Sequence, residues 1–137
     1  MPAGATAPRG KRGNEMARIL VADDASFMRQ MIREIVEAEG HEVCGEASDG
    51  IEAVEKWKQL HPDLCTMDIV MPRRSGIDAV RGIVELDPTA HIVMCSALGQ
   101  ETLVSEAIAA GAKDFIVKPF KPVAVIETLT KVLEKSE

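Results

Sequence analysis

The chain has 137 residues, 46% hydrophobic and 28% charged, a balance typical of one globular domain. Its net charge of −6 argues against a broad nucleic-acid-binding surface, because phosphate contacts require an excess of lysine and arginine. The sequence has no run of about 18 apolar residues to span a membrane and no apolar N-terminal stretch typical of a signal peptide. Its three cysteines, without CxxC spacing, are typical of reduced thiols, so we expect a cytoplasmic protein.

The first 15 residues differ from the rest of the chain. They are rich in glycine, proline and alanine, and three basic residues against one acidic residue give them a charge of +2, which leaves −8 on residues 16–137. Such a segment has too little apolar surface to fold by itself. We therefore expect a disordered tail at 1–15 and one domain at 16–137. A functional basic arm, and an extension ahead of a second start at Met16, are the alternatives.

The elements in the first half of the domain alternate between strand and helix. Residues 18–22 form a continuous apolar run, which predicts a buried strand. Apolar residues at helical spacing then predict a helix that ends at Gly40. A less apolar strand is predicted at 41–47. Asp49, with Glu52 three residues later, predicts the capping box of a second helix.

The second half of the domain continues this alternation. A third strand is predicted at 63–68, and Ser75 is the expected N-cap of the helix after it. A fourth strand is predicted at 90–97 and a fifth at 113–117, with a helix between them. Pro122 fits the first turn of a last helix. The pattern therefore contains five strands and five helices.

Strict alternation of strands and helices predicts the architecture. Parallel strands need crossover connections, and right-handed crossovers place helices on both faces of one sheet. We therefore predict an α/β fold with a doubly wound, five-stranded parallel sheet. In such sheets a ligand site lies beyond the carboxyl ends of the strands, where the strand order reverses.

Polar residues stand at the predicted carboxyl ends of four strands. They are Asp23 and Asp24 at the end of the first strand, Asp68 at the end of the third, Ser96 at the end of the fourth and Lys118 at the end of the fifth. Carboxylates on one rim repel each other unless a cation lies among them, and an all-oxygen ligand set suits Mg²⁺. With a lysine and a hydroxyl group beside it, such a pocket can stabilise a phosphoryl group during transfer.

Four motifs carry a resemblance to a known family. They are ILVADDASFMR (19–29), TMDIVMPRRSGID (66–78), CSALGQ (95–100) and AGAKDFIVKPF (110–120). Over residues 17–135 the chain resembles response-regulator receiver domains, and in particular the single-domain members that act in chemotaxis. The resemblance implies a flavodoxin-like fold with strand order 2-1-3-4-5.

The resemblance also implies a role for each residue of the pocket. Asp68 would be the phosphoacceptor, taking a phosphoryl group from a phosphohistidine of a histidine kinase. Asp24, Asp68 and the backbone carbonyl of Val70 would bind Mg²⁺, and Asp23 would act mainly through a bound water. Lys118 would form an ion pair with Asp68 and later with the phosphate.

In this family the output step is a conformational switch. Ser96 would hydrogen-bond the phosphate, and the ring of Phe115 would fill the space that Ser96 vacates. The surface of helix 4, strand 5 and helix 5 would then bind a flagellar motor switch protein or another output protein, and a phosphatase is a further possible partner. The peptide bond before Pro119 is cis in the family. With no residues given after Glu137, we expect a receiver without an attached output domain that signals by direct contact. We also expect a monomer.

The chain departs from the usual family pattern at several positions. Phe115 replaces a common tyrosine, Ser96 a common threonine, and Ser75 an Asp or Asn before glycine. Val70 and Leu98 are apolar and cannot orient a water molecule for attack on the aspartyl phosphate. We therefore expect slow hydrolysis of the phosphorylated form.

Two other functions are compatible with parts of this pattern. One is a phosphorelay intermediate that passes its phosphate to a histidine phosphotransfer protein. The other, of a different class, is a small phosphohydrolase with an aspartate nucleophile. Such enzymes usually carry a second Asp two residues after the nucleophile, and that position is Val70 here. We therefore expect a protein that assists its own phosphorylation and dephosphorylation and is not otherwise an enzyme.

Overall fold

The computed structural model describes residues 15–134, in which five strands and five helices alternate. The strands are β1 (Arg18–Ala22), β2 (Glu42–Ala47), β3 (Leu64–Asp68), β4 (Ile92–Ser96) and β5 (Asp114–Val117). The helices are α1 (Ser26–Ala38), α2 (Gly50–Leu60), α3 (Gly76–Leu86), α4 (Glu101–Ala110) and α5 (Pro122–Glu134). Apart from residue 15, the predicted N-terminal tail lies outside the described residues.

The strands form one sheet in the order β2-β1-β3-β4-β5, and every neighbouring pair is parallel. This confirms the predicted doubly wound architecture. The strand order reverses between β1 and β3, because β2 lies on one side of β1, whereas β3, β4 and β5 follow one another on its other side. The predicted strand at 90–97 is too long at both ends, since β4 pairs with its neighbours only from Ile92 to Ser96.

Two apolar layers cover the two faces of the sheet. On one face, α2, α3 and α4 contribute Trp57, Ile83 and Ala107 to the core. On the other face, α1 and α5 contribute residues such as Val36 and Leu129. The central strands are buried on both sides, which explains why their sequences are continuous apolar runs without polar alternation.

Both predicted helix N-caps, Asp49 and Ser75, are confirmed, but the reciprocal hydrogen bond of the Asp49 capping box has a different donor. The Asp49 carboxylate accepts a hydrogen bond from the Glu52 backbone N–H at 2.8 Å, and the Ser75 hydroxyl accepts one from Asp78 N–H at 3.1 Å. The predicted capping box closes differently, because the Glu52 carboxylate accepts from Ser48 N–H at 2.7 Å and not from Asp49. The cap therefore extends one residue further toward β2.

The loop between β3 and α3 is anchored at both ends by close backbone contacts. The N–H of Gly76 donates to the carbonyl of Ile69 at 2.8 Å, and the N–H of Gly50 donates to the backbone carbonyl of Arg74 at 3.0 Å. A Cβ at Gly50 would collide with the Arg74 carbonyl oxygen, and one at Gly76 would collide with the carbonyl oxygen of Asp68. These glycines therefore allow α2 and α3 to pack tightly against the loop that follows Asp68.

Among the helices of the described region, the longest have 13 residues, and none is long and apolar enough to cross a membrane.

Candidate functional site

Three carboxylates meet at the carboxyl edge of the sheet. Asp68 is the last residue of β3, and Asp23 and Asp24 directly follow the neighbouring strand β1. One carboxylate oxygen from each lies within 4.8 Å of the other two. Asp23 and Asp68 are buried, whereas Asp24 is exposed to solvent. The three residues that the sequence placed on one rim are therefore in mutual contact range.

Lys118 reaches this cluster from the far end of the sheet. Its ammonium group donates to the Asp23 carboxylate at 3.1 Å and to the Asp68 carboxylate at 3.3 Å. Its backbone N–H donates to the carbonyl of Ser96 at 2.7 Å, which fixes the chain just after β5. The peptide bond between Lys118 and Pro119 is cis, the isomer that the family resemblance implied. The contact between Lys118 and Asp23 was not predicted from the sequence.

The electrostatics of the cluster favour an additional cation. Burial, followed by the negative charge of Asp23, raises the pKa of Asp68 from 3.8 to about 6, although Lys118 opposes this shift. Desolvation acts to lower the pKa of Lys118, but the charges of Asp68 and Asp23 outweigh it and the pKa is raised. One lysine therefore compensates three carboxylates only in part. The all-oxygen donor set suits Mg²⁺, which prefers a few carboxylates and retains waters.

Asp23 is anchored by more partners than the sequence indicated. Its carboxylate also accepts from Ala25 N–H at 2.9 Å, and its backbone N–H donates to the Ala47 carbonyl at 3.0 Å. Its carbonyl oxygen accepts from the guanidinium group of Arg29 at 2.6 Å. Sequence reasoning missed Arg29, because a basic residue in the first turns of an amphipathic helix is usually a solvent-exposed surface residue.

The two predicted switch residues lie on adjacent strands, β4 and β5. The buried Ser96 hydroxyl donates to the carbonyl of Ile116 at 3.5 Å, at the outer limit for a hydrogen bond. Phe115, the residue before Ile116, has 42% of its surface exposed. In this state, therefore, Ser96 is bonded weakly to β5 and the ring of Phe115 lies partly in solvent.

Two apolar side chains lie in the loops that follow β3 and β4. Val70, two residues after Asp68, is 57% exposed, and Leu98, two residues after Ser96, is 84% exposed. Neither side chain offers a polar atom to a water molecule or to a metal. For Val70, a metal contact would therefore have to come from its backbone carbonyl.

Comparison with known proteins gives close relatives. The family model of the response regulator receiver domain matches residues 19–130. The chain is 58% identical to the chemotaxis protein CheY of Thermotoga maritima over 115 residues, which is 84% of this chain and 96% of the relative. It is 54% identical to the chemotaxis protein CheY of Bacillus subtilis, covering 85% of this chain and 97% of the relative.

Solved structures are similar over the same region. A crystal structure of the CheX-CheY-BeF3-Mg²⁺ complex from Borrelia burgdorferi contains a chain 38% identical, with a TM-score of 0.80, covering 84% of this chain and 87% of that one. The receiver domain of NtrX from Brucella abortus is 34% identical, with a TM-score of 0.81, and the match covers 86% of this chain and 99% of that one. A longer NtrX chain from Brucella abortus is also 34% identical, with a TM-score of 0.84. That match covers 89% of this chain but only 28% of the NtrX chain.

Proposed function

This chain belongs to the response regulator receiver domain family and closely resembles its chemotaxis members. We therefore propose that a histidine kinase phosphorylates Asp68 and that the phosphorylated form signals to the flagellar motor switch. Family membership supports a role in two-component signal transduction. The observation that carries the proposal is the contact of Lys118 with both buried carboxylates, at 3.1 Å for Asp23 and 3.3 Å for Asp68. Burial and the charge of Asp23 disfavour the ionised form of Asp68, and the ammonium group of Lys118 opposes that effect.

The proposed transfer step uses one carboxylate oxygen of Asp68. That oxygen attacks the phosphorus of a phosphohistidine, the new O–P bond forms, and the N–P bond breaks with its electron pair returning to the imidazole. The product is an acyl phosphate on this protein and a free histidine on the kinase. Asp68 must be ionised to attack, and the ammonium group of Lys118 stabilises that form.

The carboxylate oxygens of Asp23, Asp24 and Asp68, which lie within 4.8 Å of one another, support a Mg²⁺ site here. As the family resemblance implies, Asp24 and Asp68 would bind the ion directly, Asp23 through water, and Val70 through its backbone carbonyl. When bound, Mg²⁺ would neutralise negative charge on the pocket and on the phosphoryl oxygens. The exposed position of Asp24 would leave room for waters and for the incoming phosphoryl group.

Lys118 and Ser96 would recognise the phosphate once it is attached. The lysine already lies within hydrogen-bond range of Asp68, so a small movement would bring its ammonium group to a phosphate oxygen. The Ser96 hydroxyl has only a long bond to Ile116 to give up. A phosphate oxygen is a much stronger acceptor, because it is charged. Phosphorylation would therefore draw Ser96 away from β5.

The output surface would be the face made by α4, β5 and α5. A groove of about 390 Å³ lies on this face, lined by Leu98, Phe115, Val117 and residues of α5. Phe115 and Val117 are 42% and 44% exposed. Movement of Phe115 toward the space left by Ser96 would change the shape of this groove. The Borrelia complex contains CheX together with a related chain. On this protein, the α4–β5–α5 face would bind a motor switch protein or a phosphatase.

Of the two alternatives, only the phosphohydrolase is disfavoured by the residues of the site. A phosphohydrolase would need a proton donor two residues after Asp68, and Val70 supplies none. A phosphorelay intermediate would use the same pocket, and only its partner would differ. We therefore propose a signalling module that assists its own phosphorylation and dephosphorylation and has no other enzymatic activity.

Incubation with acetyl phosphate and Mg²⁺ tests the first part of the proposal. We expect one labile phosphoryl group per chain, measured by intact mass, which is absent in Asp68→Asn and after removal of Mg²⁺ with EDTA. The matched control is Asp78→Asn, since Asp78 is an exposed carboxylate in the first turn of α3. An unmodified wild-type protein, or sustained release of phosphate from small substrates, would contradict the proposal.

Two binding measurements separate chemotaxis from a relay. Binding of a motor-switch peptide only to the beryllofluoride-treated protein would support chemotaxis. Rapid transfer of phosphate to a histidine phosphotransfer domain, without binding to that peptide, would favour the relay.

A further inference from the structure

Arg29 connects the acidic site to the second strand of the sheet. It lies in the first turns of α1, six residues after Asp23, and its side chain is 18% exposed. One arm of its guanidinium group, Nη1, donates to the backbone carbonyl of Asp23 at 2.6 Å. Its Nε donates to the Glu46 carboxylate at 2.8 Å. A single side chain therefore contacts both β2 and the turn that carries the carboxylates.

The Asp23 carbonyl belongs to the peptide unit that joins Asp23 to Asp24. A hydrogen bond to this oxygen fixes the plane of that peptide unit and hence the direction in which Asp24 leaves the chain. Asp24 is the exposed member of the cluster, and one of its carboxylate oxygens lies within 4.8 Å of an oxygen of each of the other two carboxylates. Its placement therefore depends on the backbone more than that of Asp23, whose carboxylate is held by Lys118 and Ala25.

Glu46 is itself held in place, so it can act as an anchor. Its carboxylate accepts two hydrogen bonds from Arg33 at 3.1 and 2.6 Å in addition to the one from Arg29. Hydrogen bonds from Arg33 and then Arg29 lower the pKa of Glu46, which keeps it ionised. Lys56 of α2 donates to the Glu46 carbonyl at 2.9 Å. Glu46 pairs with Val21 of β1, which places this anchor beside the strand that leads to Asp23.

We propose that Arg29 is a positioning residue for the Mg²⁺ site, holding the peptide between Asp23 and Asp24 through its bridge to Glu46. The inference rests on the proposed function, because it assumes that these carboxylates bind Mg²⁺. Groups behind metal ligands typically change metal affinity 10- to 100-fold when they are removed. Arg29 acts on the backbone, so the lower end of this range is expected.

The chain offers a matched control one helical turn away. Arg33 also binds Glu46, but within the described residues its side chain donates hydrogen bonds to Glu46 and Glu37 and not to Asp23. Arg29→Gln and Arg33→Gln each remove one positive charge from α1 and one partner from Glu46. Only Arg29→Gln also removes the hydrogen bond to the acidic turn. The difference between the two variants therefore isolates the positioning effect.

Calorimetric titration of the unphosphorylated proteins with MgCl₂ gives the Mg²⁺ dissociation constant directly. We expect about tenfold weaker binding for Arg29→Gln and a change within about twofold for Arg33→Gln. In acetyl phosphate assays, Arg29→Gln should raise the half-saturating Mg²⁺ concentration with little change in maximal rate. Arg29→Lys keeps the charge but lacks the planar fork, so an intermediate loss of affinity is expected.

Several results would overturn the inference. Equal affinities for Arg29→Gln and the wild-type protein would do so, as would equal losses in Arg29→Gln and Arg33→Gln. If circular dichroism shows that Arg29→Gln is unfolded, the Arg29→Lys titration decides, and wild-type affinity in that variant counts against positioning. A wild-type protein that binds no Mg²⁺ would refute both this inference and the metal site of the proposed function.

Discussion

Asp68→Asn should stabilise the metal-free protein, and the effect should grow with pH. The folded protein raises the pKa of Asp68 from 3.8 to about 6, through burial first and the charge of Asp23 second. A carboxyl group with a raised pKa holds its proton more tightly in the folded state than in the unfolded state. Its contribution to stability is therefore complete below pH 3.8 and is lost as the pH rises through about 6.

The size of the effect follows from the shift in pKa. Each pKa unit corresponds to about 1.4 kcal/mol, so ionised Asp68 costs about 3 kcal/mol at pH 8. At pH 5 the cost falls to about half of this, because most folded molecules then keep the proton on Asp68. The Asp68 side chain is only 11% exposed, so solvent screening reduces these values little. Asparagine has nearly the same shape and carries no charge, and it should remove this cost.

Urea unfolding in EDTA, followed by the fluorescence of Trp57, measures the effect. Trp57 is the single tryptophan of the chain and is 1% exposed, so unfolding should change its emission strongly. We expect the free energy of unfolding of Asp68→Asn to exceed that of the wild type by about 3 kcal/mol at pH 8 and by about half as much at pH 5. Saturating Mg²⁺ should reduce the difference, because it stabilises only the carboxylate form.

Asp78→Asn, at an exposed carboxylate, should change stability by less than about 0.5 kcal/mol at either pH. An Asp68→Asn variant no more stable than the wild type at pH 8, or one whose advantage increases as the pH falls, would refute the electrostatic argument for this site.

Three further predictions follow from particular contacts. Lys118→Met should destabilise the metal-free protein at pH 8 by about 3 kcal/mol in urea unfolding, because it leaves two buried carboxylates without their cation; unchanged stability would contradict this. Val70→Asn should shorten the lifetime of the phosphorylated form after removal of acetyl phosphate, since an amide can orient water, and an unchanged or longer lifetime would count against that role. Gly50→Ala should destabilise by about 1–3 kcal/mol because its Cβ meets a backbone carbonyl. Gly82→Ala is its control, since that Cβ meets only the flexible end of the Arg74 side chain, and it should be neutral or stabilising by up to about 1 kcal/mol.

The sequence alone predicted the elements and the rim on which the chemistry lies. Strand residues such as Leu20 and Val21 are buried on opposite faces, so their run is apolar without alternation, and that pattern is local. The N-caps at Asp49 and Ser75 are local for the same reason, since each side chain bonds a backbone group three residues away. The strand order came from the family resemblance, because periodicity carries no information on which strands are neighbours.

Only the tertiary structure decided how the residues of the site act on one another. The contact of Lys118 with Asp23 joins residues 95 positions apart, and the bridge from Arg29 to Glu46 depends on β2 lying beside β1. The raised pKa of Asp68 likewise depends on burial by several elements and on the approach of Asp23. Local spacing determines which residues reach one edge of the sheet. Distances and desolvation depend on the packing of strands far apart in the chain, and these two quantities set the charge balance of the site.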